Sequence, residues 1–123
     1  MKKTIIAVAA GLLTAPAFAG GHASGDAAAG EKVFSQCQTC HVVQDADGNT
    51  LAGRNAKTGP NLYGIPGMQI GSVEGFRYGK SIVEVGETGA VWDEASFVAY
   101  VQDPKGWLSE QLGGNARSKM AYR

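Results

Sequence analysis

The sequence contains few of the residues that bind metals directly. Among its 123 residues there are two cysteines and two histidines. A structural zinc site usually takes four cysteine or histidine ligands in two spaced pairs. Here such a set would have to join His22, near the amino terminus, to Cys37, Cys40 and His41. This scarcity disfavours a zinc centre.

An excess of basic charge is also missing. Eleven lysines and arginines balance eleven aspartates and glutamates, so the formal net charge is zero. If Lys2 and Lys3 are removed with an amino-terminal leader, nine basic and eleven acidic residues remain, a charge of about −2. A nucleic-acid-binding domain would call for a basic face. The composition therefore argues against a nucleic-acid partner.

Apolar runs of membrane length are absent as well. The longest run, at 5–13, follows two lysines and precedes Ala17-Phe18-Ala19, a small-x-small cleavage site. It is short for a membrane span, although an uncleaved anchor remains the alternative. We expect a signal peptide over 1–19, cleaved after Ala19, then a flexible leader over 20–25 and one domain over 26–123. The predicted destination is the periplasm.

The informative motif is Cys37-Gln38-Thr39-Cys40-His41. Cys-x-x-Cys-His is the attachment signature of a c-type haem. Its two thiols can add to the two vinyl groups on one porphyrin edge, and the histidine then ligates the iron. A thioredoxin-like pair is disfavoured because no apolar strand precedes the motif, and a plain disulfide leaves His41 unexplained. The motif predicts one haem c, with its iron, bound covalently through Cys37 and Cys40.

The rest of the chain predicts an all-α domain with short helices and long loops. No strand-like alternation of useful length occurs, and 44–60 is rich in turn residues. Asp26 is a good N-cap for the first helix. Gly86 and Gly89 are expected to end the second helix, and Pro104 the third. The predicted helices cover 27–38, 80–85, 93–103 and 105–111.

Two further residues are candidates around the iron. The carbonyl of Pro60 can accept a hydrogen bond from Nδ1 of His41, which would orient the ring. A methionine on the opposite face would complete a His/Met electron-transfer haem. Placement favours Met120 over Met68, because Met68 follows Pro60 closely and so should lie on the side of His41. The alternative is that Met120 only fills a gap in the core.

These residues together resemble the class I c-type cytochromes, most closely the long bacterial cytochrome c2 group. The resemblance runs from Gly25 to Tyr122 and rests on matches in order along nearly the whole exported chain. It implies the cytochrome c fold, wrapped around one covalently bound haem. The matching positions are 25–32, Phe34, 37–41, 57–64, 76–79, Trp92, 100–104, Lys119 and Met120.

The resemblance also implies roles for individual residues. Cys37 and Cys40 would carry the thioethers, and His41 and Met120 would be the axial ligands, with Pro60 accepting from His41. Tyr78 and Trp92 would hydrogen-bond a buried propionate, a role that also suits their polar tips. Tyr100 would lie near the methionine sulfur, and Tyr122 near the exposed haem edge.

Two departures from the family pattern stand out. Met68 occupies the position where the family commonly has an arginine near the propionate, which leaves that propionate less compensated. Family members also continue past the methionine into a C-terminal helix that crosses the first helix, whereas this sequence stops at Arg123. We expect a truncated gene model or a fragment. The alternative is a natural short form, in which the helix is missing and the face of Gly30 and Phe34 is left uncovered.

The function that the resemblance implies is a soluble one-electron carrier, not an enzyme. It would be a monomer without a small-molecule substrate, docking transiently on membrane redox complexes. The donor would be a cytochrome bc complex and the acceptor a photosynthetic reaction centre or a terminal cytochrome oxidase, between which the sequence does not choose. An open sixth site for gas or peroxide chemistry is the alternative if Met120 does not ligate. Four basic residues are candidates to steer docking or are ordinary surface charges: Lys57, Lys105, Arg117 and Lys119.

Overall fold

The first helix begins at the predicted residue and ends early. In the computed structural model, which describes residues 23–121, α1 spans Ala27–Phe34. Asp26 caps it, because the carboxylate Oδ1 accepts from the amide of Ala29 at 3.0 Å. Beyond Phe34 the chain continues in hydrogen-bonded turns up to residue 40, so the helix expected over 27–38 was predicted too long. The signal peptide, its cleavage site and Tyr122 lie outside the described residues.

A small antiparallel hairpin follows, which the sequence did not predict. Strand β1 spans Val42–Gln44 and pairs with β2, Thr50–Gly53, as the only sheet among residues 23–121. Strands of three and four residues are too short to show a period-two pattern. The expectation of loops alone over 44–60 is therefore corrected, while the fold stays predominantly helical.

The loop of the hairpin is held by one carboxylate. Asp45 accepts from the backbone amides of Asp47 at 3.0 Å and Asn49 at 2.9 Å, and from the side-chain amide of Asn49 at 3.0 Å. Such local bonds let an aspartate close its own turn. They hold the pKa of Asp45 below its ordinary value, with the Asn49 side chain the main cause.

Helix α2 spans Lys80–Glu87 and passes through the glycine that was expected to end it. Gly86 is buried within the helix. A Cβ at this position would collide with the carbonyl oxygen of Ile70, so the glycine permits a close approach between the helix and that loop. The break expected at Gly86 is therefore wrong, and the helix ends one residue later.

Helices α3 (Glu94–Gln102) and α4 (Pro104–Leu112) follow with ends close to those expected. Asp93 caps α3 by accepting from the amide of Ser96 at 2.7 Å, and Ser96 Oγ accepts in return from the amide of Asp93 at 3.0 Å. Pro104 is the first residue of α4, where a missing amide hydrogen costs nothing. Both α2 and α3 pack against α4.

The main core lies among these three helices and the loop before them. The rings of Trp92 and Trp107 stack with centroids 5.6 Å apart, and Tyr100 contacts both. In contrast, α1 buries no residue completely, and Gly30 on it is exposed with open space around it. None of the helices within residues 23–121 is long and apolar enough to cross a bilayer. The buried cluster consists of Ile65, Ile70, Val85, Trp92, Tyr100, Trp107, Leu108 and Ala116.

Candidate functional site

A cavity of about 430 Å³ separates the Cys-x-x-Cys-His segment from the helical core. Its volume falls within the range of small-molecule and cofactor pockets. Every site residue expected from the sequence contributes to its lining, although these residues come from distant parts of the chain. They are Cys37, Cys40, His41, Pro60, Tyr78, Trp92, Tyr100 and Met120.

The ring of His41 is held between a hydrogen bond and a glycine. Nδ1 lies 2.9 Å from the carbonyl oxygen of Pro60. A carbonyl can only accept, so Nδ1 carries the proton and Nε2 keeps its lone pair for a metal. On the other side, a Cβ at Gly59 would lie 2.6 Å from Nδ1 and 2.8 Å from Nε2. Only glycine lets the backbone pass this close to the ring.

Backbone bonds place this glycine and the motif together. The amide of Gly59 donates to the carbonyl of Cys40 at 2.7 Å. The amides of Cys40 and His41 both donate to the carbonyl of Cys37, at 3.1 and 2.9 Å. The tight turn thus brings two thiols and one imidazole to the same wall of the cavity.

The two cysteines are free and half-buried. Burial raises the pKa of the Cys37 thiol, and the neighbouring Cys40 raises it further. Cys37 is therefore a neutral thiol at neutral pH. Within residues 23–121 no three histidine, cysteine or acidic side chains converge as a metal-binding group.

The two described methionines occupy different positions. Met120 lines the cavity, whereas Met68 does not. Both side chains pack against the buried cluster. The backbone of Met68 is held in the loop, because its amide donates to the carbonyl of Ile65 and its carbonyl accepts from the amide of Trp92, both at 2.9 Å. Of the two sulfurs, only that of Met120 belongs to a residue facing the same space as His41.

Two tyrosines, Tyr78 and Tyr100, line the cavity with their hydroxyl groups partly buried. The Tyr78 oxygen accepts from the amide of Val73 at 3.1 Å, which leaves its own proton free to donate. Burial raises the pKa of Tyr78, against the effect of that hydrogen bond. Burial also raises the pKa of Tyr100, against the effect of the nearby Ser118 side chain. Both phenols are neutral donors at neutral pH.

Sequence reasoning missed part of the site. The contact of Gly59 with the imidazole was not predicted; its only signal is the position beside Pro60. Arg117 and Lys119, which were expected either to steer docking or to be ordinary surface charges, line the cavity. The hydrogen bond from Lys119 Nζ to the carbonyl of Arg77, at 2.9 Å, was not predicted. The apolar residues that line the cavity are not marked by any local sequence motif beyond the helical spacing of some of them. They include Leu62, Ile65, Ile82, Phe97, Val101 and Leu108.

Comparison with known proteins identifies similar chains over most of the sequence. No family model matches. The chain is 60% identical to a cytochrome c2 of Rhodovulum adriaticum over 101 residues, covering 81% of this chain and 80% of the relative. It is 49% identical to a cytochrome c-550 of Paracoccus versutus, covering 100% of this chain and 80% of that one.

Solved structures agree with these relatives. A cytochrome c2 from Rhodobacter sphaeroides superposes with a TM-score of 0.78 at 52% identity, over 80% of this chain and 82% of that chain. A cytochrome c2 from Rhodobacter capsulatus superposes with a TM-score of 0.77 at 44% identity, over 80% and 85% of the two chains. The fold expected from the sequence is confirmed.

Proposed function

The chain belongs to the class I c-type cytochromes, and on this premise we propose that it is a soluble periplasmic carrier of single electrons. The observation that carries the proposal is the shared cavity, which is lined by Cys37, Cys40 and His41 and also by Met120, a residue that packs against the core. One haem c would be attached through the two cysteines. The carrier would accept one electron and pass that electron on, so no substrate is converted.

The residues of the cavity suit a haem better than a bare metal. One imidazole with a free Nε2 and one thioether provide two donors, while the porphyrin brings the remaining four. When bound, the haem supplies a reversible one-electron couple. The apolar walls formed by Leu62, Ile65 and Leu108 would keep water away from it.

Each polar residue then has a distinct task. His41 would bind through Nε2, oriented by the carbonyl of Pro60, and Met120 would bind opposite it. His/Met ligation raises the reduction potential of a haem, as suits an electron carrier. Tyr78 and Trp92 would donate to a propionate, and Tyr100 would lie near the methionine sulfur.

Redox partners would meet the protein at the rim of this cavity. We expect electrons from a cytochrome bc complex and delivery to a photosynthetic reaction centre or a terminal oxidase, with the carrier acting as a monomer. Arg117 and Lys119 are exposed at the rim, and Lys57 and Lys105 are also exposed. Charges of this kind speed encounter with acidic partners, an effect that salt screens.

The axial ligand is tested by paired substitutions, Met120→Ala and Met68→Ala, in the haem-loaded protein. The ferric iron–methionine bond gives a weak charge-transfer band in the red. We expect this band in the wild type and in Met68→Ala and its loss in Met120→Ala, which should also bind carbon monoxide rapidly when reduced. A wild-type protein without the band that binds carbon monoxide rapidly would refute the carrier and favour an open-site haem protein.

A further inference from the structure

Two adjacent backbone amides before Met120 are each bound by a serine from a different helix. Beyond α4 the chain forms no regular structure up to residue 121. Here the amide of Ala116 donates to Oγ of Ser109 on α4 at 3.1 Å. The next amide, of Arg117, donates to Oγ of Ser81 on α2 at 3.0 Å. The segment is thereby tied to two helices that pack together.

Both bonds are partly buried, and each has one buried partner. Ser81 is 9% exposed and is the buried polar residue among those the structure describes. Ala116 is 3% exposed. A hydrogen bond is stronger where water is partly excluded. Removing the Ser109 hydroxyl would leave the amide of the buried Ala116 without its acceptor. Ser109 also donates to the carbonyl of Lys105 at 2.9 Å, which turns a lone pair of its oxygen toward Ala116.

A third serine, Ser118, connects these two amides to Met120. Oγ of Ser118 accepts from the amide of Met120 at 3.1 Å and donates to its carbonyl at 2.7 Å. The same side chain lies beside the buried Tyr100. These hydrogen bonds restrict the backbone between residues 116 and 120, and so limit movement of the methionine.

We propose that Ser81 and Ser109 are positioning residues, which keep the sulfur of Met120 on the iron by holding the amides of Arg117 and Ala116. The proposal rests on the proposed function, because it requires Met120 as axial ligand. It adds the two residues that determine how small a fraction of molecules has Met120 dissociated from the iron. Neither serine touches the cofactor, and both act through the backbone of the loop.

The test uses the haem-loaded ferric protein and imidazole, which can bind the iron only when the methionine is displaced. Apparent imidazole affinity is then proportional to the fraction of molecules with the methionine off. We expect Ser81→Ala and Ser109→Ala each to raise that affinity about 3- to 10-fold, as loss of one hydrogen bond implies. Ser109→Thr, which keeps a hydroxyl at a half-buried position, should stay within about twofold of the wild type.

Ser72→Ala is the matched control. The Ser72 hydroxyl donates to the carbonyl of Gln69 at 2.6 Å, is exposed and does not line the cavity. This variant should leave imidazole affinity unchanged. Denaturant unfolding of all variants separates a general loss of stability from displacement of the ligand. If Ser81→Ala does not fold, the more exposed Ser109→Ala still decides the question.

Two results would overturn the proposal in distinguishable ways. Imidazole affinities of Ser109→Ala and Ser81→Ala equal to that of Ser72→Ala, with the wild-type iron–methionine band present and dependent on Met120, would refute the positioning role alone. A wild type without that band, or a band that survives Met120→Ala, would refute the axial ligation and this role together.

Discussion

Replacement of Gly59 by alanine tests whether the backbone beside His41 really determines how the ring is held. The added Cβ would lie 2.6 Å from Nδ1 and 2.8 Å from Nε2, closer than carbon and nitrogen approach without a bond. Gly59 cannot simply move away, because its amide donates to the carbonyl of Cys40 at 2.7 Å. Either this segment or the imidazole must shift, and a shifted ring weakens the bond from Nδ1 to Pro60.

The expected cost has two parts. Forcing one extra carbon into a packed site costs about 1–3 kcal/mol. Loss of the hydrogen bond to Pro60 adds about 0.5–1.5 kcal/mol. We therefore expect Gly59→Ala to lower the free energy of unfolding of the haem-loaded protein by about 1.5–4.5 kcal/mol. Urea titration followed by circular dichroism measures this directly.

The same substitution should change the redox behaviour. Donation from Nδ1 to a carbonyl makes the imidazole a more basic ligand, which favours the ferric state. A weakened bond should therefore raise the midpoint potential, as measured by spectroelectrochemical titration. Gly114→Ala is the control, since open space surrounds Gly114 and its backbone is not left-handed. The reasoning is refuted if the two variants are equally stable and have the wild-type potential.

Two further predictions concern the half of the fold that contains α1 and the hairpin. Gly30 lies in the middle of α1, and nothing lies within 4 Å of a Cβ added there. Gly30→Ala should therefore raise the free energy of unfolding by about 0.5–1 kcal/mol, as measured by urea titration. A lower free energy of unfolding would mean that another segment packs against Gly30. The pKa of Asp45 is lowered, so its stabilising effect is complete above the ordinary aspartate pKa and is lost as pH falls through the lowered value. The NMR amide signal of Asn49 should report that loss in the wild type, whereas Asp45→Asn should show no such transition.

Features encoded by neighbouring residues were predictable. The Cys-x-x-Cys-His motif is contiguous, and the helix starts at Asp26 and Asp93 depend on side chains bonding amides three residues away. The contact between His41 and Pro60 was expected because proline has a carbonyl and no amide hydrogen. The motif and the helix caps depend on residues within four positions of each other, whereas the contact between His41 and Pro60 spans 19 positions and was expected from the chemistry of proline.

Features that depend on distant partners were not predictable. Gly86 reads as a helix breaker, and only its approach to Ile70 shows why a glycine belongs inside α2. The bond between Ser81 and Arg117 joins residues 36 positions apart, and nothing local distinguishes Ser81 from a surface serine. The hairpin escaped notice because its strands are shorter than the pattern that would have revealed them.

The sequence span of the buried cluster implies an order of assembly. All its members lie between Ile65 and Ala116, so this part can condense through short loop closures, which are fast. The cysteine segment joins it across the cavity, through contacts of residues 59 and 60. The wall that carries Met120 can thus be built while both thiols are still open to solvent. A chain that must receive its haem covalently would profit from closing the cysteine side last.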